Sequence, residues 1–273
     1  MANTTLFEVI LADLTKTVEN LASVDDRPSD KAAKRAISKL TAAHAELKKL
    51  ARDIDPVKSP QAFFDPTNPE VSSALVAMAM VAQPRQSMAS LPPFYGSGIY
   101  AIYYNGKRKQ YLPISKTEHP IYVGMADPSD GSSTDPFSQG LALFNRLTAH
   151  AKNIAKANTT LDVSEFECKY LAVQSGFQSA AEGKLIRYYR PIWNKETKIC
   201  HGFGKHGDSA TTRVNARSPW DTLHPGRGWA DKSTSEQSSY ANIITKTTKH
   251  YLENPPHKTA SEAVDHLLSL VRT

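Results

Sequence analysis

Gly98-Ile99-Tyr100-Ala101-Ile102-Tyr103-Tyr104 is the stretch that decides the fold. It is almost wholly β-branched and aromatic, which is strand composition, and the turn-forming pair Asn105-Gly106 follows it at once, predicting a hairpin. A second strand reads Pro120-Ile121-Tyr122-Val123-Gly124, and a third runs from Glu165 to Gln174. Between these two, residues from Ser138 to about Lys156 follow helical spacing, with Leu141, Phe144, Leu147 and Ile154 turned inward. A further helix spans Ser179 to Tyr189 and stops at Arg190-Pro191, because proline excludes its predecessor from helical geometry. The prediction is an α+β fold, a small antiparallel sheet flanked by helices.

Outside this core, Leu6, Ile10, Leu14, Val18 and Leu21 repeat at helical spacing until Asp25-Asp26-Arg27-Pro28 breaks the pattern. A second helix is predicted from Ser29 to about Asp53, with Ile37, Leu40, Leu47, Leu50 and Ile54 on its apolar face. Residues 1–55 therefore read as an N-terminal helical hairpin whose seam is too narrow for a large core. An oligomerisation arm, a DNA clamp and a packing appendage are its three readings, and its zero net charge favours the arm. Pro56, Pro60, Pro66 and Pro69 punctuate residues 56–95, a linker holding one short helix from Pro69 to about Ala82. Residues 96–230 form the core with its loops; after Trp193 the composition turns to Gly, His, Ser and Arg. Residues 231–273 hold a C-terminal helical pair, Ser239–Glu253 and Ser261–Arg272.

The apolar fraction of 40% and the charged fraction of 22% are those of a globular chain. Cys168 and Cys200 are the only two cysteines, which excludes a disulfide scaffold and a cysteine-ligated zinc site and fits a reducing compartment. The first residues lack the basic flank and apolar core of a signal peptide, and no stretch has membrane-spanning composition, so a soluble cytoplasmic protein is expected. The net charge of +6 lies in the middle: residues 91–229 carry 17 basic and 11 acidic side chains, whereas both flanks are neutral. A basic centre between neutral flanks is what a phosphate-rich partner requires, although a solvated surface would look the same.

The tripeptides Gly98-Ile99-Tyr100 and Tyr122-Val123-Gly124 resemble the signature of the GIY-YIG nuclease superfamily, with Val123 where isoleucine is usual. Downstream, Arg146 and His150 stand four apart, on one helix face; Glu182 begins a later helix and Asn194 follows Pro191-Ile-Trp. Tyr, Tyr, Arg, His, Glu and Asn in this order match the active site of the superfamily's restriction enzymes. Phe64-Asp65-Pro66-Thr67-Asn68-Pro69 and Ser218-Pro219-Trp220-Asp221-Thr222-Leu223-His224-Pro225-Gly226-Arg227 resemble segments of the branch that cuts the palindrome CCGCGG. The resemblance runs from about Phe63 to Arg227. It implies a type II restriction endonuclease acting on double-stranded DNA, a homo-oligomer (dimer or tetramer), and a cognate DNA methyltransferase that protects host DNA. The alternatives are a repair or homing-type nuclease on the same core and a catalytically silent DNA-binding module.

Phosphodiester hydrolysis needs an activated water and a positive field for the developing charge. Glu182 is the only carboxylate in this set, which points to one Mg²⁺ per active site with Glu182 as its protein ligand. Equally, Ser179-Ala-Ala-Glu182 has the form of a helix capping box. Arg146 offers a donor fork to the scissile phosphate. Tyr100 is the general base that the family implies; a phenol of pKa about 10 needs cations nearby to act at neutral pH, and His150, with an ordinary pKa of about 6.5, is the other candidate. Tyr122 is expected to bond the phosphate or the water, and Asn194 to orient a catalytic partner. For DNA contact the sequence offers Lys107 and Lys109 beside the hairpin turn, where a solvated edge is the other reading. It also offers Lys205, Arg213, Arg217 and Arg227 in the Gly/His-rich segment, where contact with the DNA backbone alone, or for Arg227 the closing of a loop, is the alternative. Arg213 or Arg217 is expected to read guanine, whose N7 and O6 match the arginine fork, and Lys205 to hold phosphate.

Overall fold

The stretch Gly98–Tyr104 is an inner strand of the sheet, paired on both sides. In the computed structural model, which describes residues 5–25, 28–57, 64–128, 131, 133–204, 216–233, 235–269 and 271, four strands pair antiparallel in the order β1-β4-β2-β3. They are β1 (Gln86–Ser87), β2 (Gly98–Tyr104), β3 (Tyr122–Ala126) and β4 (Phe166–Ala172). Every residue of β2 is buried. Tyr100, Ile102 and Tyr104 point into one core, and Ile99, Ala101 and Tyr103 into another on the opposite face. Helices cover both faces, so the strand is apolar at every position instead of alternating with polar residues. The fold is α+β, as the sequence predicts.

The helices are α1 (Leu6–Ala22), α2 (Asp30–Ile54), α3 (Pro69–Val81), α4 (Ala142–Lys156), α5 (Gln178–Tyr189), α6 (Pro219–Leu223), α7 (Gly228–Asp231), α8 (Tyr240–Glu253) and α9 (Ala260–Ser269). The first core takes Leu143, Leu147 and Ile154 from α4, together with Trp193, Phe203 and Trp220. The second takes Ala77, Met80 and Val81 from α3, Ala181 and Leu185 from α5, and Ala263 and Leu267 from α9. Each Leu, Ile, Val, Met or Phe among them contributes about 1.5–3 kcal/mol when fully buried. The short helix expected within a linker is thus a core element. Asn68 caps it, accepting from the Glu70 amide at 2.9 Å.

Contacts divide the chain into two units, Met1–Gln61 and Ala62–Thr273. In the first, α1 begins with a reciprocal capping box: the Thr5 hydroxyl accepts from the Glu8 amide, and the Glu8 carboxylate accepts from the Thr5 amide. Both helices form where the apolar spacing places them, yet neither buries a residue. No helix among the described residues is long and apolar enough to cross a membrane.

Three local expectations are corrected. Asn105-Gly106 does not close a two-residue hairpin, because the Asn105 amide is used to tie the end of β2 to β4, donating to Glu167 Oε2 at 2.8 Å. The chain then passes through a 3₁₀ turn, Lys109–Ile114, before β3. The segment after Trp193 is not wholly loop, since Pro219 at the first position and the Ser218 cap start α6. Arg227, expected on DNA, is 1% exposed. Its Nε bonds Asp221 Oδ1 at 2.6 Å, and its Nη atoms donate to the carbonyls of Phe203 (3.0 Å) and Gly202 (2.9 Å). The guanidinium also lies 4.5 Å from the Trp220 ring and 5.0 Å from that of Trp229. All of these partners are intramolecular, so the Arg227 fork closes the loop instead of facing a nucleic acid.

Candidate active site

The register of β2 on β3 sets Tyr100 opposite Gly124. A Cβ on Gly124 would collide with the phenol of Tyr100, so only glycine lets this ring lie across the strand. Gly98 is fixed for another reason: it has φ +152°, and a Cβ there would strike the Leu171 carbonyl of β4. The two glycines of the paired tripeptides therefore serve the packing of Tyr100 and of β2.

Arg146 and His150 are one helical turn apart on α4, and both face Tyr100. The Tyr100 hydroxyl lies 2.6 Å from His150 Nε2, and Arg146 is hydrogen-bonded to the same phenol. The Tyr122 ring stands 6.2 Å from that of Tyr100 and 5.2 Å from the His150 ring. Phe203 stacks on His150 at 4.5 Å and 19°, fixing the plane of the imidazole. Glu182 completes the set from α5. That helix starts at Gln178 after Phe177, with no side-chain cap, so Glu182 is not the carboxylate of a capping box. Instead it lines a cleft of about 600 Å³ with Tyr122, Asp127, Asn145 and Arg146.

Charge is unevenly matched here. Burial, then the carboxylates of Glu196 and Asp127, push Glu182 up to about 7 against the pull of Arg146 and a backbone hydrogen bond with Met125. Burial also raises Tyr100 well above an ordinary phenol, with Tyr122 and Glu182 adding to the effect and Arg146 opposing it. Tyr122 is raised by burial as well, again against Arg146. Burial weakens the charge on Arg146, but Tyr100, Tyr122 and Glu182 outweigh it and hold the guanidinium ionised. At neutral pH Tyr100 is thus a neutral phenol beside an imidazole nitrogen.

Asn194 lies on a different layer of the site. Its Nδ2 donates to the Val123 carbonyl at 2.8 Å, and its Oδ1 accepts from the Val123 amide at 2.9 Å. It clamps the backbone between Tyr122 and Gly124, and so holds β3 in place instead of meeting the cleft.

Among the described residues no three His, Cys, Asp or Glu side chains are grouped to hold an ion. Glu182 on an open, polar cleft fits Mg²⁺, which keeps several waters and takes one or two carboxylates plus phosphate oxygens. Lys107 is exposed, and Lys109 lines a separate groove with Pro113, Tyr240 and Ile244. Neither lines the cleft. Arg217 is half-buried, its backbone bridged to Glu236. Lys205 and Arg213 lie outside the described residues. The sequence reading missed Asp127, Asn145 and Phe203. Phe203 carried one signal, an aromatic between two glycines; Gly204 beside it is so close that a Cβ there would stand 3.3 Å from the Tyr122 hydroxyl.

The family model described as the Eco29kI GIY-YIG domain matches residues 92–251. No curated protein matches the chain. The match covers more than half of the 273 residues and contains Tyr100, Tyr122, Arg146, His150, Glu182 and Asn194. The chain belongs to the GIY-YIG restriction endonuclease family of Eco29kI and is a nuclease acting on DNA.

Proposed function

We propose that this nuclease is a type II restriction endonuclease that hydrolyses both strands of DNA at a short G/C-rich palindrome, CCGCGG, with one Mg²⁺ per active site. It works as a homo-oligomer, alongside a methyltransferase that protects the same sites in host DNA. The observation that carries this reading is that Tyr122, Arg146 and Glu182, from three separate elements, line one open polar cleft, with Arg146 hydrogen-bonded to the phenol of the buried Tyr100–His150 pair.

Each side chain has a task that follows from its position. Arg146 and Tyr122 face the cleft and bind the scissile phosphate, the guanidinium countering the charge that develops on its oxygens. Glu182 holds the Mg²⁺, which when bound supplies positive charge against the developing oxyanion. Tyr100 takes a proton from the attacking water as its own phenolic proton passes to His150 Nε2 across the 2.6 Å bond. This order is favoured because burial makes a standing tyrosinate costly, whereas a neutral phenol that hands on one proton as it accepts another avoids that cost. Asn194 keeps Tyr122 in register by clamping Val123. Arg217 contacts the target from the loop side.

The test is digestion of unmethylated plasmid DNA of known sequence with Mg²⁺. Discrete fragments ending at CCGCGG are expected, and prior methylation of those sites should block cutting. A smear, fragments mapping elsewhere or intact plasmid would overturn the assignment. An Arg217→Ala variant with unaltered rate and sequence preference would remove that residue from the recognition surface.

A further inference from the structure

We propose that α1 and α2 associate with the same two helices of a second copy of this chain, forming a four-helix bundle in which each basic α2 lies against the partner copy's acidic α1. This concerns residues outside the span matched by the nuclease family.

Three observations carry it. First, both helices bury nothing, although they present long apolar rows. On α2, Ile37, Leu40, His44, Leu47, Ala51 and Ile54 alternate spacings of three and four, the heptad seam of a coiled coil; Ile37 is 63% exposed and Leu40 53%. On α1, Phe7, Ile10, Leu14, Thr17 and Leu21 keep the same alternation. Seams of this kind are stable only when another helix fills them, and the chain's own α1 leaves that of α2 open.

Second, the charges are complementary. Helix α1 carries Glu8, Asp13 and Glu19 against Lys16 alone, whereas α2 carries seven Lys and Arg against three carboxylates. Pairing α1 with α1 or α2 with α2 sets like charges together; pairing α1 with the partner's α2 does not. Third, His44 is the one polar group in the α2 seam, and a single polar residue at such a position fixes register between helices. DNA is the poorer occupant, because phosphate repels α1 and leaves both apolar rows wet.

The experiment compares full-length protein, free of DNA, with a Leu40→Asp/Leu47→Asp variant by light scattering during gel filtration. Both positions are exposed in the single chain, and Trp193, Trp220 and Trp229 all lie in the other unit, so their fluorescence reports that the nuclease core is folded. The particle mass should halve in the variant while the tryptophan melting curve is unchanged. Equal masses would overturn the proposal, as would an unchanged mass with weakened DNA binding, which would make the arm a DNA contact. Reversing charge supplies a second arm of the test. Glu8→Lys/Asp13→Lys/Glu19→Lys and Lys34→Glu/Lys39→Glu/Lys48→Glu should each associate at least tenfold more weakly than wild type, and mixing the two should restore association. Failure of mixing to restore it would refute the charge-paired arrangement. Since no DNA is present, the outcome is independent of whether the chain cuts CCGCGG.

Discussion

The Tyr100 hydroxyl and Nε2 of His150 are 2.6 Å apart, and both residues are sealed from bulk water, at 0% and 2% exposure. A pair this close and this dry acts as one unit. Tyr100→Phe should lower the single-turnover cleavage rate by about 10²–10⁴ while leaving DNA affinity within a few-fold. His150→Ala should cost a similar factor. The double variant should be no slower than the worse single one, because groups in one relay are not additive. Full multiplication of the two losses would show that they act separately.

Glu182 is held at a cost to stability near neutral pH. Its folded-state pKa of about 7 lies above the ordinary 4.5, so folding favours the protonated form, and stability is lost as pH rises between these values. Glu182→Gln should therefore stabilise the metal-free protein at pH 8 by about 1–2 kcal/mol, after discounting for partial exposure, and by almost nothing at pH 4. The same variant should be inactive in cleavage. Thermal melts at the two pH values check the sign; a destabilised Gln variant at pH 8 would contradict it.

The cleavage rate should also carry this titration. With Glu182 as the proposed Mg²⁺ ligand only its ionised form can bind the ion, so at limiting Mg²⁺ the rate should fall about tenfold per pH unit below about 7. Raising Mg²⁺ should move the midpoint to lower pH, because the ion competes with the proton. A midpoint indifferent to Mg²⁺ concentration would dissociate Glu182 from the metal.

Asn194→Ala removes both bonds to Val123 and leaves a buried amide and carbonyl without their partners. A loss of about 2–3 kcal/mol in urea unfolding is expected. Cleavage should fall by less than in Tyr100→Phe, because the effect reaches the phosphate only through the position of Tyr122.

Arg227→Met should leave Asp221 buried with the Ser218 hydroxyl, 2.6 Å away, as its remaining side-chain bond. Breaking a buried pair in this way costs about 3–5 kcal/mol. The fraction that stays folded should keep the wild-type fragment pattern, since this guanidinium faces no DNA. A changed pattern at unchanged stability would return Arg227 to the recognition surface.

Much of this was legible in the residues. The strands at 98–104 and 122–126, the helix bearing Arg146 and His150, and the helix bearing Glu182 follow from local pattern, and boundaries moved by only a few residues. The resemblance of their order to the active site of GIY-YIG restriction enzymes picked Tyr100, Tyr122, Arg146, His150 and Glu182 as one candidate set. The turn at Asn105-Gly106 misled because turn propensity is local, whereas the Asn105 amide is held by Glu167, 62 residues away. For Arg227 the sequence left DNA contact and loop closure both open, and only Asp221, Trp220 and two carbonyls closing around it decide for the loop.

By itself, then, the sequence determined the elements, because strand and helix periodicity are properties of short stretches, and through its family resemblance it singled out the candidate site residues. Tertiary structure alone decided which groups share a low-dielectric space. It placed Phe203 against His150, brought Asp127 and Glu196 near enough to Glu182 to lift its pKa, and turned Asn194 onto Val123. Those outcomes depend on distances between residues far apart in the chain, and both pKa values and hydrogen-bond partners are set by such distances.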